Sequence, residues 1–181
     1  VTLTPGIRYS HSGFSKRNML APRLQIGYHL APKTILNFAT GIYYQKPINK
    51  YVSADPANRS IRDEKSAHFI MGVTQQLRDD LSFTVEGYYK SLDDWIIPAT
   101  TAGNLLTNDG DGWSSGFDAN LLKRFTNRYY GQVTYSYAVS KRNDHDGFGQ
   151  YDSSENQPHN FAVISGYQIN KEWFVSIKWK Y

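Results

Sequence analysis

The sequence contains no cysteine, so neither a disulfide framework nor a thiolate metal site is available. No apolar run approaches the roughly 18 residues of a transmembrane helix, and the mean hydropathy is −0.57. These absences exclude a helical membrane protein. They do not exclude a membrane-spanning β-barrel, because only alternate residues of such strands face lipid, which dilutes the hydropathy of the chain.

The excess of basic residues is small, with 20 Lys and Arg against 16 Asp and Glu in 181 residues. They are spread along the chain without a basic cluster, so we expect no nucleic-acid partner.

The chain starts at Val1, without an initiator methionine or a signal peptide. We therefore expect either a mature form or an internal piece of a longer protein.

Aromatic residues are abundant, at 15 % of the chain, and many of them alternate with polar residues. In the stretch 112–142, two long alternating runs flank the short break at 126–128, which predicts a two-stranded hairpin. Its strands have about ten residues, near the ~9–11 that a tilted strand needs to cross a bilayer. The same alternation predicts seven further strands. These cover 1–10, 22–30, 34–45, 66–77, 81–90, 159–168 and 172–181.

The predicted fold is therefore all-β: an antiparallel up-and-down meander of about nine long strands, part of a transmembrane β-barrel with alternating short turns and long loops. Short turns fall near Pro32, Asp79, Asn127 and Asn170, and long loops centre near Phe14, Ala54, Ala102 and Gly147. The long segments are 11–21, 46–65, 91–111 and 141–157. A propeller is the weaker alternative, because a blade fits four short strands into this repeat length.

Periodicity alone leaves open which face meets solvent. A soluble barrel, such as a lipocalin-like binding module, has apolar residues inside, and an outer-membrane barrel has them outside. Rings predicted near both ends of the strands favour a membrane with two interfaces. Tyr9, Tyr28, Tyr44 and Tyr89 are expected at the long-loop ends, and Tyr129 and Trp173 at the short-turn ends. The opposite face carries Arg23, Glu86, Lys90, Asp118 and Lys178, which suit a wet lumen.

The chain resembles the C-terminal barrel region of TonB-dependent outer-membrane receptors of Bacteroidetes-like bacteria. The resemblance rests on LTPGIRYS, PRLQIGYHLAPKTILNFATGIYYQKP, VEGYYKSLDDW, NDGDGWSSGFD, RYYGQVTYSYAVSKR and QPHNF, in the family's order over nearly the whole chain. It implies a location in the outer membrane of a Gram-negative bacterium, contact with lipid, and import of a scarce nutrient such as a metal–siderophore complex. It implies no cofactor and no enzymatic activity.

The family's barrel has about 22 strands around a plug, whereas this sequence predicts fewer than half of them and no plug. We therefore expect 1–181 to be a partial barrel that would reach TonB only through a plug it lacks. Tyr181 fits either a natural C-terminal strand or a truncated one, and we favour truncation. The alternative is a complete small outer-membrane barrel with an adhesive or structural role; closure between the first and last strands would favour it.

Catalytic and metal sites are not expected. The oxygen-rich segments 108–112 and 143–147 do not complete an EF-hand, and the five histidines share no metal-ligand spacing. We expect turns at both segments. An outer-membrane enzyme would need a carboxylate or serine next to a histidine near the outer rim.

If the chain belongs to a receptor, the ligand meets the long loops and the upper lumen. Aromatic rings there would stack on a ligand, and cations would hold anionic groups. The candidate ligand-binding residues are Trp95, Trp113, Arg142, His145 and Tyr151.

Overall fold

The computed structural model describes residues 1–13, 16–99, 105–154 and 156–181. They form one antiparallel sheet of ten strands in sequence order, except that the short eighth strand lies off this order and pairs only with the seventh, which also pairs with the ninth. The strands are β1 (Thr2–Ser12), β2 (Arg17–Ala31), β3 (Thr34–Gln45), β4 (Glu64–Arg78), β5 (Leu81–Pro98), β6 (Leu106–Thr126), β7 (Tyr129–Asn143), β8 (Gln150–Asp152), β9 (His159–Gln168) and β10 (Phe174–Lys180). The predicted meander is confirmed.

The connections 32–33, 79–80 and 127–128 are tight turns at one end of the sheet, the short-turn rim. At 127–128, Asn127 and Arg128 both have positive φ, 51° and 70°. Two such residues make a turn whose twist matches that of its strands. The neighbouring turn is braced, since Nζ of Lys123 lies 2.5 Å from a carboxylate oxygen of Asp80. This hydrogen bond holds the pKa of Asp80 below its usual value.

The strands are longer than predicted at the opposite end, the long-loop rim, where connections 13–16, 46–63, 99–105 and 144–158 lie. The predicted irregular stretch 91–111 is wrong, because β5 runs to Pro98 and β6 starts at Leu106. The predicted loop 11–21 is also wrong, because β1 continues to Ser12 and β2 starts at its partner Arg17. Bulges near Trp95 shift the side-chain parity of β5, and β6 begins with a segment rich in Asn, Asp and Gly, so the alternation that marks a strand disappears. The loop centres Phe14 and Ala102 lie outside the described residues.

The remaining long segments also contain regular structure. The segment 46–65 holds a short helix α1 (Asn49–Ser53), a 3₁₀ turn (Pro56–Ser60) and the start of β4. In 141–157, β8 pairs with the end of β7. The oxygen-rich segment 108–112, predicted as a turn, is part of β6. Among the described residues, no helix is both long and apolar enough to cross a membrane.

One face of the sheet, the apolar face, is continuous from β1 to β10. Cross-strand partners on it are apolar over most of its area, for example Leu3 with Ile26 and Phe38 with Met71. The same holds at the other side of the sheet, where Val163 pairs with Trp179. These side chains are exposed rather than packed: Met71 is 68 % and Ile177 is 63 % exposed. A sheet of this kind meets an apolar solvent, not a protein core.

The opposite, polar face lines the concave side. Thr2 and Thr4 of β1 and Glu86 of β5 line a shared cavity of about 430 Å³, so strands β1–β5 curve around it. The buried apolar side chains among the described residues are few and do not form a core between the strands; they are Met19, Ala21, Ile61 and Ile97. The predicted arrangement is the one observed: the apolar face is on the outside and the polar face lines the concave side. The described residues do not form the apolar interior of a lipocalin-like barrel.

Rings lie on the apolar face near both rims. At the short-turn rim Tyr129 pairs with Tyr167, and at the long-loop rim the ring of Tyr89 stacks on Trp113, with centroids 6.5 Å apart. The prediction for Tyr28 is wrong: it pairs with Leu36 beside the turn 32–33, at the short-turn rim. β2 runs from the long-loop rim to the short-turn rim. Tyr28 is near the C-terminal end of β2 and therefore lies at the short-turn rim.

We predict that Val133→Lys prevents assembly in the membrane, whereas Thr134→Lys is tolerated. Val133 lies between Leu121 and Val163 on the apolar face, where a lysine near the bilayer midplane costs about 2–4 kcal/mol. Thr134 is its neighbour on the polar face. Heat-modifiable gel mobility of outer-membrane fractions measures the folded share, and equal folding of the two variants would contradict the assignment of faces.

We also predict that Gly166→Val impairs folding. Gly166 is covered by Tyr130 and Phe174, whose rings stack at 5.9 Å, and a Cβ there would lie 2.1 Å from Cε1 of Tyr130. Such rings shield a strand glycine, so a side chain forces them apart and we expect a loss of about 1–3 kcal/mol. The matched control is Ser165→Val on the apolar face. Urea unfolding in detergent measures both, and a larger loss in the control would refute the packing argument.

Candidate functional site

The candidate residues lie where β5, β6 and β7 extend past the apolar band at the long-loop rim. β5 is bulged on both sides of Trp95, and Asp94 has a positive φ of 56°. Gly110 and Gly112 of β6 let these side chains approach closely: a Cβ at Gly112 would lie 2.9 Å from Cδ of Arg142. The segment 108–112 of β6 contains only Asn, Asp and Gly, which are poor strand formers, so cross-strand packing holds it as strand.

Arg142 and Trp95 form the centre of this region. The guanidinium carbon of Arg142 lies 4.4 Å from the centroid of the Trp95 ring, a cation–π contact. Nη1 of Arg142 donates to Oγ of Ser140 at 2.9 Å and to the carbonyl of Lys141 at 3.1 Å. Only 8 % of Arg142 is exposed. Arg142 thus joins the tip of β5 to β7, and Trp95 is half-buried, so part of its side chain remains exposed.

The 46–63 connection is tied to the same tip. The side chain of Asn108 bonds the backbone of Arg62 in both directions, at 2.7 and 3.1 Å, and donates to the carbonyl of Asp94 at 2.8 Å. Arg62 pairs with the Asp94 carboxylate at 2.6 Å, and Oδ1 of Asn58 accepts from the amide of Leu106. A turn was predicted around Asn108, but this residue lies in β6, and its side-chain amide holds the 46–63 connection in place.

A second cavity, of about 210 Å³, lies beside this brace. Its lining residues carry both signs of charge; they are Arg17, Asn18, Met19, Tyr44, Arg62, Asp63, Lys65 and Asp94. Asp63 is 7 % exposed. Burial raises the pKa of Asp63, and the charge of Lys46 opposes that rise.

Tyr151 and His145 lie on the loop that follows β7. Tyr151 pairs with Arg142 across β7 and β8, and its hydroxyl donates to the Asp144 carboxylate at 2.9 Å. The pKa of Tyr151 is raised, mainly by burial and to a smaller extent by this hydrogen bond. Nε2 of His145 lies 2.9 Å from Oδ2 of Asp111. His145 therefore fastens the tip of the loop to β6.

Trp113 occupies the other face of the sheet. It pairs with Lys141, one position from Arg142, stacks on Tyr89 and donates from Nε1 to Gln150 at 3.3 Å. The structure therefore brings Trp95, Arg142 and Tyr151 together on the polar side, and it places Trp113 in the ring belt of the apolar face. Among the described residues, no group of three His, Cys, Asp or Glu side chains could hold a metal ion.

Sequence reasoning missed a second group on the polar face, away from the loops. The guanidinium carbon of Arg23 lies 4.3 Å from the centroid of the Tyr43 ring, and Tyr43 stacks on His68 with centroids 4.2 Å apart. These residues come from three strands. The alternation places each of them on the polar face, but only the strand register shows that they are neighbours.

Comparisons with known proteins agree on the architecture. The whole chain, residues 1–181, matches the family described as TonB dependent receptor-like, beta-barrel. No curated protein sequence matches it significantly.

Solved structures with the same fold include the ferric-catecholate import receptor Fiu of Escherichia coli K12, with TM-score 0.71 and 15 % identity over 91 % of this chain and 24 % of that one. The copper transporter OprC has TM-score 0.64 and 18 % identity over 91 % and 26 %. A mutant of the Pseudomonas aeruginosa ferric enterobactin receptor PfeA, in complex with enterobactin, has TM-score 0.63 and 13 % identity over 93 % and 36 %.

The chain thus spans between about a quarter and just over a third of the length of these receptors and transporters. Its sheet, apolar on one face and polar on the other, is the wall that such a barrel requires. The chain belongs to the TonB-dependent receptor-like β-barrel family, whose members lie in the outer membrane of Gram-negative bacteria.

Proposed function

We propose that residues 1–181 form part of the wall of an outer-membrane receptor that binds a scarce nutrient, such as a metal–siderophore complex, and imports it with energy delivered through TonB. The family match over the whole chain carries this proposal. The solved structures with the same fold are receptors and transporters, not enzymes, and we assign no catalytic role to this chain.

The domain assignment is part of the proposal. Within the described residues, β1 and β10 do not pair with each other, so each leaves one edge of backbone donors and acceptors open. Unpaired backbone in lipid costs several kcal/mol per group. The sheet is therefore best completed by further strands, with the plug and the TonB contact outside this chain. A complete small barrel would need β1 to pair with β10.

We further propose that the ligand first meets the long-loop rim, with Trp95, Trp113, Arg142, His145 and Tyr151 as candidate contacts. The exposed part of the Trp95 ring offers a stacking surface, and Arg142 fixes its orientation. Tyr151 extends this surface on the polar side. Trp113 and His145 lie away from the polar face, so they would contact only a ligand or partner that reaches the outer side of the rim.

We predict that deleting the gene that encodes this chain abolishes uptake of the cognate chelate and slows growth under metal limitation. Uptake of radioiron presented as a panel of siderophores measures it, with a TonB-deficient strain as the comparison. We expect both strains to lose uptake of the same chelate, because the proposed import needs both the receptor and TonB. Unchanged uptake of every chelate in the deletion strain would refute metal–siderophore import.

We predict that the rim residues of the polar face, Trp95 and Tyr151, contribute more to ligand affinity than Trp113 and His145. In the full-length protein, Trp95→Leu with Tyr151→Phe should weaken binding of the imported chelate about thirtyfold, because stacking and hydrogen bonding are each worth about 1 kcal/mol. Trp113→Leu with His145→Gln is the control on the other face. Equilibrium binding in detergent measures both, and equal effects would show that the rim does not discriminate by face.

A further inference from the structure

Two neighbouring strands of the wall separate at the long-loop rim. β2 and β3 pair with each other only as far as Arg23 and Gly41, although both strands continue toward the rim. Their continuations, 17–22 and 42–45, pair only with the outer neighbours β1 and β4. We refer to the space between these two segments as the β2–β3 cleft.

The cleft starts beside a proline, near the outer end of the apolar band. Pro22 is next to Arg23, and proline lacks the N–H that a central ladder requires. Arg23 is in register, through β3 and β4, with Lys90 of β5. Lys90 is nine residues from Leu81, a rise of about 23 Å for a strand tilted by about 40°, and the apolar band of such a barrel is about 25 Å tall. The unpaired backbone therefore lies where water and headgroups reach it, and not in hydrocarbon, where it would be costly.

The cavity of about 210 Å³ described above lies in this cleft. Its walls come from the start of β2, the end of β3, the start of β4 and the 46–63 connection; the side chains include Arg17, Asn18, Met19, Tyr44, Arg62, Asp63 and Lys65. Pockets for drug-sized molecules have about 300–1,000 Å³. The β2–β3 cleft therefore has room for a smaller molecule.

Hydrogen bonds and an ion pair hold the walls of the cleft in place. Oδ1 of Asn18 accepts from the Tyr9 hydroxyl at 2.9 Å and lies 2.8 Å from Nδ1 of His11. On the opposite side, the guanidinium of Arg62 lies 2.6 Å from the Asp94 carboxylate. A site whose walls are already ordered loses less conformational entropy when it binds a ligand.

Asp63 is the buried charge of the cleft. Only 7 % of Asp63 is exposed, and its Oδ1 has no hydrogen-bond partner among the described residues. Within the same part of the chain Asp63 makes no ion pair, although the charge of Lys46 opposes the rise in its pKa that burial causes. A buried acceptor without a donor is destabilising, so the cleft lacks a donor at this carboxylate.

Two cations line the same cavity without a carboxylate partner. In the part of the chain that the structure describes, neither Arg17 nor Lys65 takes part in an ion pair. Arg17 is exposed and Lys65 is half-buried. Guanidinium and ammonium groups hold carboxylates and phosphates by charge-assisted hydrogen bonds. A simple anion would also meet Asp63 in the cleft, and a simple cation would meet Arg17 and Lys65, so the charges favour a molecule that carries both signs.

We propose that the β2–β3 cleft binds a small zwitterion, a molecule that carries an ammonium group and a carboxylate or phosphate. The ammonium group donates to Asp63, and the anionic group accepts from Arg17 and Lys65. The bound molecule bridges β2, β4 and the 46–63 connection, and it stabilises the wall where β2 and β3 do not pair. This inference goes beyond the proposed uptake function and does not rest on it.

The test uses the purified full-length protein in octyl glucoside, an uncharged detergent, with two zwitterionic probes. Glycylglycine represents free amino acids and short peptides, and glycerophosphoethanolamine represents a lipid headgroup. Saturation-transfer NMR measures the binding of each probe, and thermal unfolding measures the stabilisation that a bound ligand confers. We expect binding and stabilisation, and the probe that binds more tightly identifies the source of the ligand.

Probes that carry only one charge show whether both charges are needed. N-acetylglycylglycine and glycerophosphate lack the ammonium group, and glycylglycinamide lacks the carboxylate. We expect each of them to bind about tenfold more weakly than its zwitterionic counterpart, because one set of charge-assisted hydrogen bonds is lost.

Substitutions place the site in the cleft. We expect Asp63→Asn to weaken binding of the zwitterion about tenfold and Arg17→Gln about fivefold, since each removes one charged partner. The matched controls are Asp79→Asn and Lys33→Gln in the tight turns of the short-turn rim, and we expect no change in either. Arg17 is exposed, so Arg17→Gln serves if Asp63→Asn does not fold.

Three results would overturn the inference: binding of neither zwitterion to the unaltered protein, as for a cavity filled only by water, equal affinity for the probes with one charge, or equal losses in the cleft variants and the controls. Radioiron uptake measures the proposed function, whereas these probes measure only the cleft. The two failures are therefore distinguishable.

Discussion

The pairing of every backbone donor and acceptor between strands is the constraint on which the rest of the structure depends. A bilayer offers no water to an unpaired amide, so the chain crosses it as a sheet whose neighbours along the sequence are neighbours in space. Once the backbone is paired, side chains point alternately to the two faces. The apolar and polar faces follow from that alternation and need no conventional core.

The two rims resolve the same constraint in different ways. At the short-turn rim, two-residue turns reverse the chain, and in the turn 127–128 both residues have positive φ angles. At the long-loop rim, β5 and β6 continue past the apolar band, and bulges and glycines interrupt the hydrophobic alternation there. Side-chain amides and charges stabilise this part: Asn108 fastens the 46–63 connection and Arg142 fastens the tip of β5. Contacts between strands and connections therefore stabilise the described part of this rim.

The charges of the polar face are ordered by level. Arg23, His68 and Lys90 share one line of register, and Glu86 pairs with Asp118 on another, deeper line. Such an order appears only when strands are stacked in register, because the residues concerned are separated by tens of positions in the sequence.

The sequence alone determined the strands inside the apolar band, the faces of their side chains and the positions of the tight turns, because period-two alternation and turn chemistry are local. It did not determine the ends of β5 and β6: around Trp95 and Gly110 the alternation is broken by bulges, and only packing across the sheet keeps the chain extended. Alternation within each strand already places Trp113 and Arg142 on opposite faces, and only the strand register shows that Trp113 pairs with Lys141. The contact of Arg23 with Tyr43 and His68 arose in the same way, because three strands must align before a local pattern becomes a site.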